Sequence, residues 1–176
     1  IAADGLPNFT GTYSFVAQKS DNLQAAIAAA VGPDYTIGSK KSEQARVWIR
    51  SWLEGVTEDP AKRILTIDHT ATEFHSGMGD EVNIYYFGRE ATSMGPAGGN
   101  LRASIRWQGE QIVTEEKEAK GKGRITAVYS LQPGGKSLLV EWKLEHPTLQ
   151  QPPGHRRRAR SPLVIRRRSL ARQLTP

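Results

Sequence analysis

The chain has 176 residues, no cysteine and a formal net charge of +6 at neutral pH. The lack of cysteine excludes disulfides, thiolate metal sites and a cysteine nucleophile, and no apolar run reaches the roughly 18 residues that a membrane-spanning helix needs. The basic charge is uneven, because eight arginines lie between 156 and 172 with no acidic residue among them, while the rest of the chain is net −2. A nucleic acid or an anionic surface is therefore an expected partner only through this C-terminal stretch.

The first part of the chain predicts one strand followed directly by helix. A run of strand composition begins at Phe9 and extends to about residue 17. Residues 20–22, Ser-Asp-Asn, offer side chains that cap a helix N-terminus, and apolar residues then recur at helical spacing until Gly32. A second helix is expected over 39–54, although its Val47 and Ile49 fit a strand equally well.

After Pro60 the apolar period changes to two, which is typical of strands. Strands are predicted near residues 9, 63, 73, 82, 101, 111, 124 and 137. The clearest alternation runs from Leu101 to Gln108. Residues 88–100 are rich in glycine and are predicted to form a loop. The pattern predicts a mainly β fold, an antiparallel up-and-down β-barrel of about eight strands with a one- or two-helix lid over 20–54.

The opening hexapeptide Asn8-Phe9-Thr10-Gly11-Thr12-Tyr13 resembles the N-F-x-G-x-W/Y start of the calycin superfamily, the lipocalins and fatty-acid-binding proteins. The helical pair and the hairpin at 126–140 resemble the fatty-acid-binding branch. The segment 67–73 is similar to an I-x-H-T-x-T-E hairpin of uncharacterised bacterial secreted lipocalin-like proteins. The resemblance covers 8–145 and implies a calycin-like barrel that binds a small hydrophobic or amphipathic, lipid-like molecule. The resemblance fails at residues 165–168. The fatty-acid-binding branch ends with an Arg-x-Tyr strand that binds the ligand carboxylate, whereas this segment has arginine but no tyrosine.

The strand at 101–108 has a polar face and an apolar face, and either could point into the barrel. Arg102, Ser104 and Arg106 share one face, and an inward guanidinium would hold a carboxylate or ester oxygen. The opposite face is apolar, and apolar-inward is the default for a half-buried strand. The candidate ligand-binding residues are Arg102, Arg106, Tyr129, Tyr85 and Trp107.

His69, Glu73 and His75 lie close together around a predicted turn. Such a group can ligate zinc or supply a general base, but polar residues are also ordinary at a hairpin tip. No metal and no cofactor are predicted. The alternative function is a hydrolase or isomerase that acts on a small hydrophobic ester or lactone, with His69 or His75 as catalytic residue. The carboxylates within 115–118 are expected on a solvated strand face.

The domain interpretation is a lipocalin-like barrel over 1–153 and a basic, arginine-rich tail over 154–176. The tail is open to three interpretations: a site for anionic partners, a last barrel strand near 162–166, or a frame-shifted reading of GC-rich DNA, which resequencing of the gene would test. The first residue is Ile1. Removal of a signal peptide would explain this start and predicts a secreted or periplasmic protein, although a trimmed sequence explains it equally well.

Overall fold

A computed structural model describes residues 5–15, 64–78, 81–94, 100–119, 123–145 and 163–172. Within these ranges the regular structure consists of ten β-strands. They are β1 (Gly11–Phe15), β2 (Ile64–His69), β3 (Glu73–Met78), β4 (Glu81–Tyr86), β5 (Ala91–Met94), β6 (Asn100–Gln108), β7 (Gln111–Glu118), β8 (Arg124–Leu131), β9 (Ser137–Glu145) and β10 (Leu163–Arg172).

The ten strands form one antiparallel sheet in the order β4-β3-β2-β1-β10-β9-β8-β7-β6-β5. The first strand joins the two halves, because β1 pairs with β2 on one side and with β10 on the other. The terminal strands of this order, β4 and β5, contact each other, and β4 also contacts β6. The sheet therefore curls round on itself into a barrel.

One face of the sheet is apolar because burial alternates along the strands. In β2, Leu65, Ile67 and His69 are buried while their neighbours are exposed. In β6, Leu101, Ala103 and Ile105 are buried between exposed or half-buried neighbours. The ladder register places inward residues beside inward residues on the next strand, so the apolar faces meet inside the barrel. The core consists of Phe9, Tyr13, Leu65, Ile67, Phe74, Tyr85, Ala103, Ile105, Ile112, Ala127, Tyr129, Leu138 and Val140.

The turns that the structure describes between strands mark one end of the barrel. Short turns at 70–72, 87–90, 109–110 and 132–136 all lie at one end, which we call the turn end. Gly109 adopts a φ of +61° there, a conformation that strongly favours glycine. Strand direction places the last residues of β1, β3, β5, β7 and β9 at the opposite end.

The antiparallel barrel predicted from the sequence is confirmed, but the strand number is ten rather than about eight. One additional strand, β5, lies inside the predicted loop 88–100, where Ala91–Met94 pairs with β6. A second, β10, lies inside the predicted tail and pairs with β9 and β1. The division into a barrel and a tail stays a prediction. The helices predicted over 20–54 lie outside the described residues.

We expect Ile112→Ala to lower the free energy of unfolding by about 2–5 kcal/mol, because Ile112 is completely buried and its removal leaves a cavity. Ile84→Ala is the matched control, since the Ile84 side chain is 42% exposed on β4 and should change stability by about 0.5 kcal/mol or less. Urea titration measures both values. Equal losses in the two variants would contradict the assignment of the inner face.

Candidate ligand-binding site

A group of polar side chains lies on the otherwise apolar inner face of the barrel. It comprises Ser76 on β3, Tyr85 on β4, Thr114 and Glu116 on β7 and Tyr129 on β8, and we call it the interior polar cluster. The register explains its position. Glu116 pairs with Ala103 on one side and with Ile125 on the other, and both of these residues are buried.

Hydrogen bonds connect the interior polar cluster across the barrel. The Tyr85 hydroxyl donates to Oε1 of Glu116 at 2.6 Å, and Oγ of Ser76 lies 3.2 Å from the Tyr129 hydroxyl. The Thr114 side chain interacts with both tyrosine hydroxyls. The Phe74 ring packs edge-on against Tyr129, with 5.0 Å between the ring centroids. The cluster is thus a polar network within an apolar wall.

The surroundings of the cluster change its acid–base properties. Burial raises the pKa of the Glu116 carboxyl above 4.5, while the hydrogen bond from Tyr85 acts in the opposite direction. Burial, and then the charge of Glu116, raises the pKa of Tyr85 well above 10. Burial also raises the pKa of Tyr129 to about 12. Both tyrosines therefore keep their protons at neutral pH and act as hydrogen-bond donors.

Glu116 is surrounded by protein atoms yet keeps some solvent-accessible surface, and it shares this property with other inward residues. Solvent also reaches residues at inward register positions on three other strands: it reaches part of Met78 on β3 and of Trp142 on β9, and Asn83 on β4 is exposed. Solvent therefore reaches part of the inner face.

An aromatic cluster occupies the turn end of the barrel. Its centre is His69, whose ring lies 5.5–6.0 Å from the rings of Phe9, Phe74, Phe87 and Trp107. The Phe9 amide donates a long hydrogen bond of 3.5 Å to Nδ1 of His69. Burial lowers the pKa of His69 below 6.5, so the ring is neutral at physiological pH and packs as part of this cluster.

The two histidines predicted as catalytic residues lie on opposite faces of the sheet. His69 is inside, whereas His75 is on the outer face, where its Nε2 lies 2.9 Å from Oε2 of Glu73. The structure therefore does not bring His69 and His75 together. His75 pairs with Asp68, and Asp68 and His69 are successive residues of β2, so their side chains point to opposite faces. Among the described residues, no group of three metal-ligating side chains comes together.

The predicted ligand-binding residues are divided between the two faces. Arg102 and Arg106 are exposed, so the prediction that they anchor a ligand inside the barrel is wrong. The physical reason is that burying Leu101, Ala103 and Ile105 fixes the apolar face of β6 inward.

The other three predicted ligand contacts are on the inner face. Tyr85 and Tyr129 belong to the interior polar cluster. Trp107 is half-buried in the aromatic cluster at the turn end, stacked on Phe87 with 5.8 Å between centroids. Their role as ligand contacts stays a prediction.

Sequence reasoning missed Glu116 because four charged residues in a row resemble a solvated face. Its neighbour Glu115 is on the outer face, with Lys117 at 2.5 Å and Arg124 at 3.4 Å. The period of two was nevertheless a usable signal, since it separates Glu116 from Glu115 and Lys117. Pairing β7 with the alternating strand β6 then assigns Glu116 to the apolar side.

Comparison with family models finds no match, and comparison with curated proteins finds none either. Solved structures do match. Secretory abundant heat soluble protein 4 from Ramazzottius varieornatus has a TM-score of 0.58 at 13% identity, over 98% of this chain and 100% of that one. The REP1-NXSQ fatty acid transporter gives 0.53 at 12%, over 95% and 97%. Caenorhabditis elegans lipid binding protein 8 gives 0.52 at 11%, over 94% and 95%.

These likenesses establish the fold of the chain, a closed antiparallel barrel, and confirm the calycin-like architecture that the sequence resemblance implied. In the part of the chain that the structure describes, no helix is both long enough and apolar enough to cross a membrane.

We expect the Glu116→Gln variant to reveal the cost of burying an ionised carboxyl. Because the folded-state pKa of Glu116 is raised, its contribution to stability is present below about pH 4.5 and is lost as the pH rises through the folded-state pKa. The free energy of unfolding of the wild type relative to the variant should therefore fall above pH 4.5 in urea titrations. Glu110→Gln, in an exposed turn, is the control, and the same pH dependence for both variants would refute this assignment.

We also expect the imidazole resonances of His69 to titrate with a midpoint below 6.5 in an NMR pH series, because the charged ring is poorly solvated among the aromatic side chains. The His69→Gln variant assigns the resonances by their disappearance. A midpoint at or above 6.5 would show that the ring is not desolvated.

Proposed function

We propose that the chain binds a small apolar or amphipathic molecule inside the barrel. The observation that carries this proposal is the composition of the inner face, an apolar wall with one polar cluster that solvent partly reaches. Small-molecule sites typically combine a mostly apolar lining with a few placed polar groups.

Small side chains next to Glu116 support the proposal. Ala91 on β5 and Ala103 on β6 are direct partners in the ladder, and Glu116 is the next partner of Ala103. On β8, Ala127 occupies another inward position, beside Thr114. Three small side chains therefore line the inner face beside the polar cluster.

The solved structures give independent support at the level of ligand class. One is described as a fatty acid transporter and another as a lipid binding protein, and this chain covers nearly the whole of each. A kinship with bacterial secreted lipocalin-like proteins belongs to the same proposal and rests on the similarity of residues 67–73.

The positions of the histidines give no support to the alternative hydrolase or isomerase function. His75 is on the outer face, and His69 is packed among aromatic rings. Arg102 and Arg106, which were candidates to hold an ester oxygen, are exposed.

Affinity in such a site comes mainly from burying apolar surface, at about 25 cal/mol per Å² before the costs of ordering the ligand. Each methylene is worth about 0.8 kcal/mol. An alkyl series should therefore bind about fourfold more tightly per added methylene, until the interior is full.

We expect Ala103→Phe to weaken binding of a neutral apolar fluorescent probe by about tenfold or more, because the added ring fills the volume beside Glu116. Ala119→Phe is the matched control, since Ala119 is exposed beyond the end of β7. Fluorescence titration gives the dissociation constants, and circular dichroism checks that each variant is folded.

Unchanged binding by a folded Ala103→Phe variant would overturn the interior site. If that variant does not fold, the chain-length series on the wild type decides instead. An affinity that does not depend on chain length would also refute the proposal.

A further inference from the structure

The basic side chains of strands β1 to β9 are confined to the outer face of the barrel. In strands β1 to β9, no lysine or arginine occupies an inward register position, whereas Glu116 and Glu118 on β7 do. The basic side chains of these strands, including Arg102, Arg106 and Lys117, alternate to the outer face. The inner face described for these strands therefore favours a cation over an anion.

The hydrogen bonds of the interior polar cluster favour a donor on the ligand. The single hydroxyl proton of Tyr85 is used in its bond to Oε1 of Glu116. A carboxylate has about four acceptor positions, and the Tyr85 hydroxyl is the one described donor that reaches it. Glu116 and Tyr85 together thus offer mainly acceptor lone pairs.

The carboxylate of a fatty acid would bind weakly beside Glu116 and Tyr85. A second carboxylate beside Glu116 requires one of the two acids to take up a proton, because two ionised carboxylates at contact distance repel each other. A protonated amine would instead form a charge-assisted hydrogen bond to Glu116. Glu118 does not offer the same site, since its Oε2 accepts from the Gly123 amide at 2.8 Å.

From this geometry we propose that the interior site selects amphipathic molecules with a hydrogen-bond-donating, cationic head group, a long-chain primary amine being the simplest, and that Glu116 holds that head group. This inference rests on the proposed function and specifies its ligand class. The apolar wall binds the alkyl chain and Glu116 determines which head group is accepted.

Strand β10 offers an alternative position for holding a head group, and this position would favour an anion. The backbone register pairs Arg167 with Val140 and Arg172 with Tyr13, and both Val140 and Tyr13 are buried on the inner face. A carboxylate anchored at this position would reverse the predicted selectivity, so the experiment must include an acid of the same chain length.

The test uses the full chain and four probes with the same 12-carbon chain: dodecylamine, dodecanol, methyl dodecanoate and dodecanoate. Displacement of a neutral fluorescent probe gives each dissociation constant. We expect dodecylamine to bind about tenfold to a hundredfold more tightly than dodecanoate, the range expected for a hydrogen bond to a charged group. Glu116→Gln should remove most of this preference. Glu115→Gln, one residue away on the outer face, should preserve it.

Each outcome is decisive. A tighter amine whose advantage disappears in Glu116→Gln alone supports the inference. Equal binding of all four compounds, or an amine preference that survives Glu116→Gln, overturns the head-group inference and leaves the proposed function standing. Tighter binding of the acid also overturns it, and loss of that binding in Arg167→Gln or Arg172→Gln assigns the anchor to β10. Failure of all four compounds and of the neutral probe to bind overturns the proposed function itself.

Discussion

The strict alternation of side chains along strands that close on themselves is the constraint on which this structure depends. In a barrel every strand has two hydrogen-bonded or packed neighbours, so a shift of one residue in a single strand would exchange its buried and exposed sets. In β6 such a shift would bury Arg102 and Arg106 and expose Leu101, Ala103 and Ile105. The cost of burying unpaired guanidinium groups makes that alternative inaccessible. The same constraint brings Glu116 inside, because its position follows from that of Ala103.

Holding a carboxyl group inside an apolar wall is expensive, and the structure reduces the cost without removing it. The hydroxyl of Tyr85 supplies one strong hydrogen bond, but no described basic side chain shares the inner face of β1 to β9 with Glu116. His69 illustrates the opposite solution, a titratable group kept neutral and used as one more ring in a packed aromatic cluster. The two ionisable groups thus serve different purposes. His69 packs as a neutral ring at the turn end, whereas the Glu116 carboxyl in the interior has acceptor positions that no described side chain other than Tyr85 fills.

The sequence was informative wherever a period of two persisted over several residues. The strand at 101–108 was predictable because its apolar residues alternate without interruption. The hairpins after it were predictable because short glycine-containing turns divide strand-like segments, and the antiparallel barrel followed from them. Short β5 was not predictable, since Ala91–Met94 has little strand composition and pairs only because β6 supplies a partner. Arg102 and Arg106 were predicted to bind a ligand because a guanidinium suits a carboxylate, although the alternation of apolar residues along the strand placed them on the outer face. Glu116 was overlooked for the converse reason, because local charge density concealed the face to which the ladder assigns it.

The position of β1 between β2 and β10 has a consequence for how the chain acquires its shape. Tyr13 pairs with Leu65 and also with Arg172, so contacts that complete the barrel join the two extremes of the sequence. Loop-closure entropy opposes such distant contacts, whereas the hairpins from β6 to β9 need only local ones. During synthesis on the ribosome the β6–β9 meander can form early, but β1 must wait for β10 to emerge. Until then Tyr13 lacks its backbone partner on β10, and the nascent chain exposes an open sheet edge that the finished barrel covers.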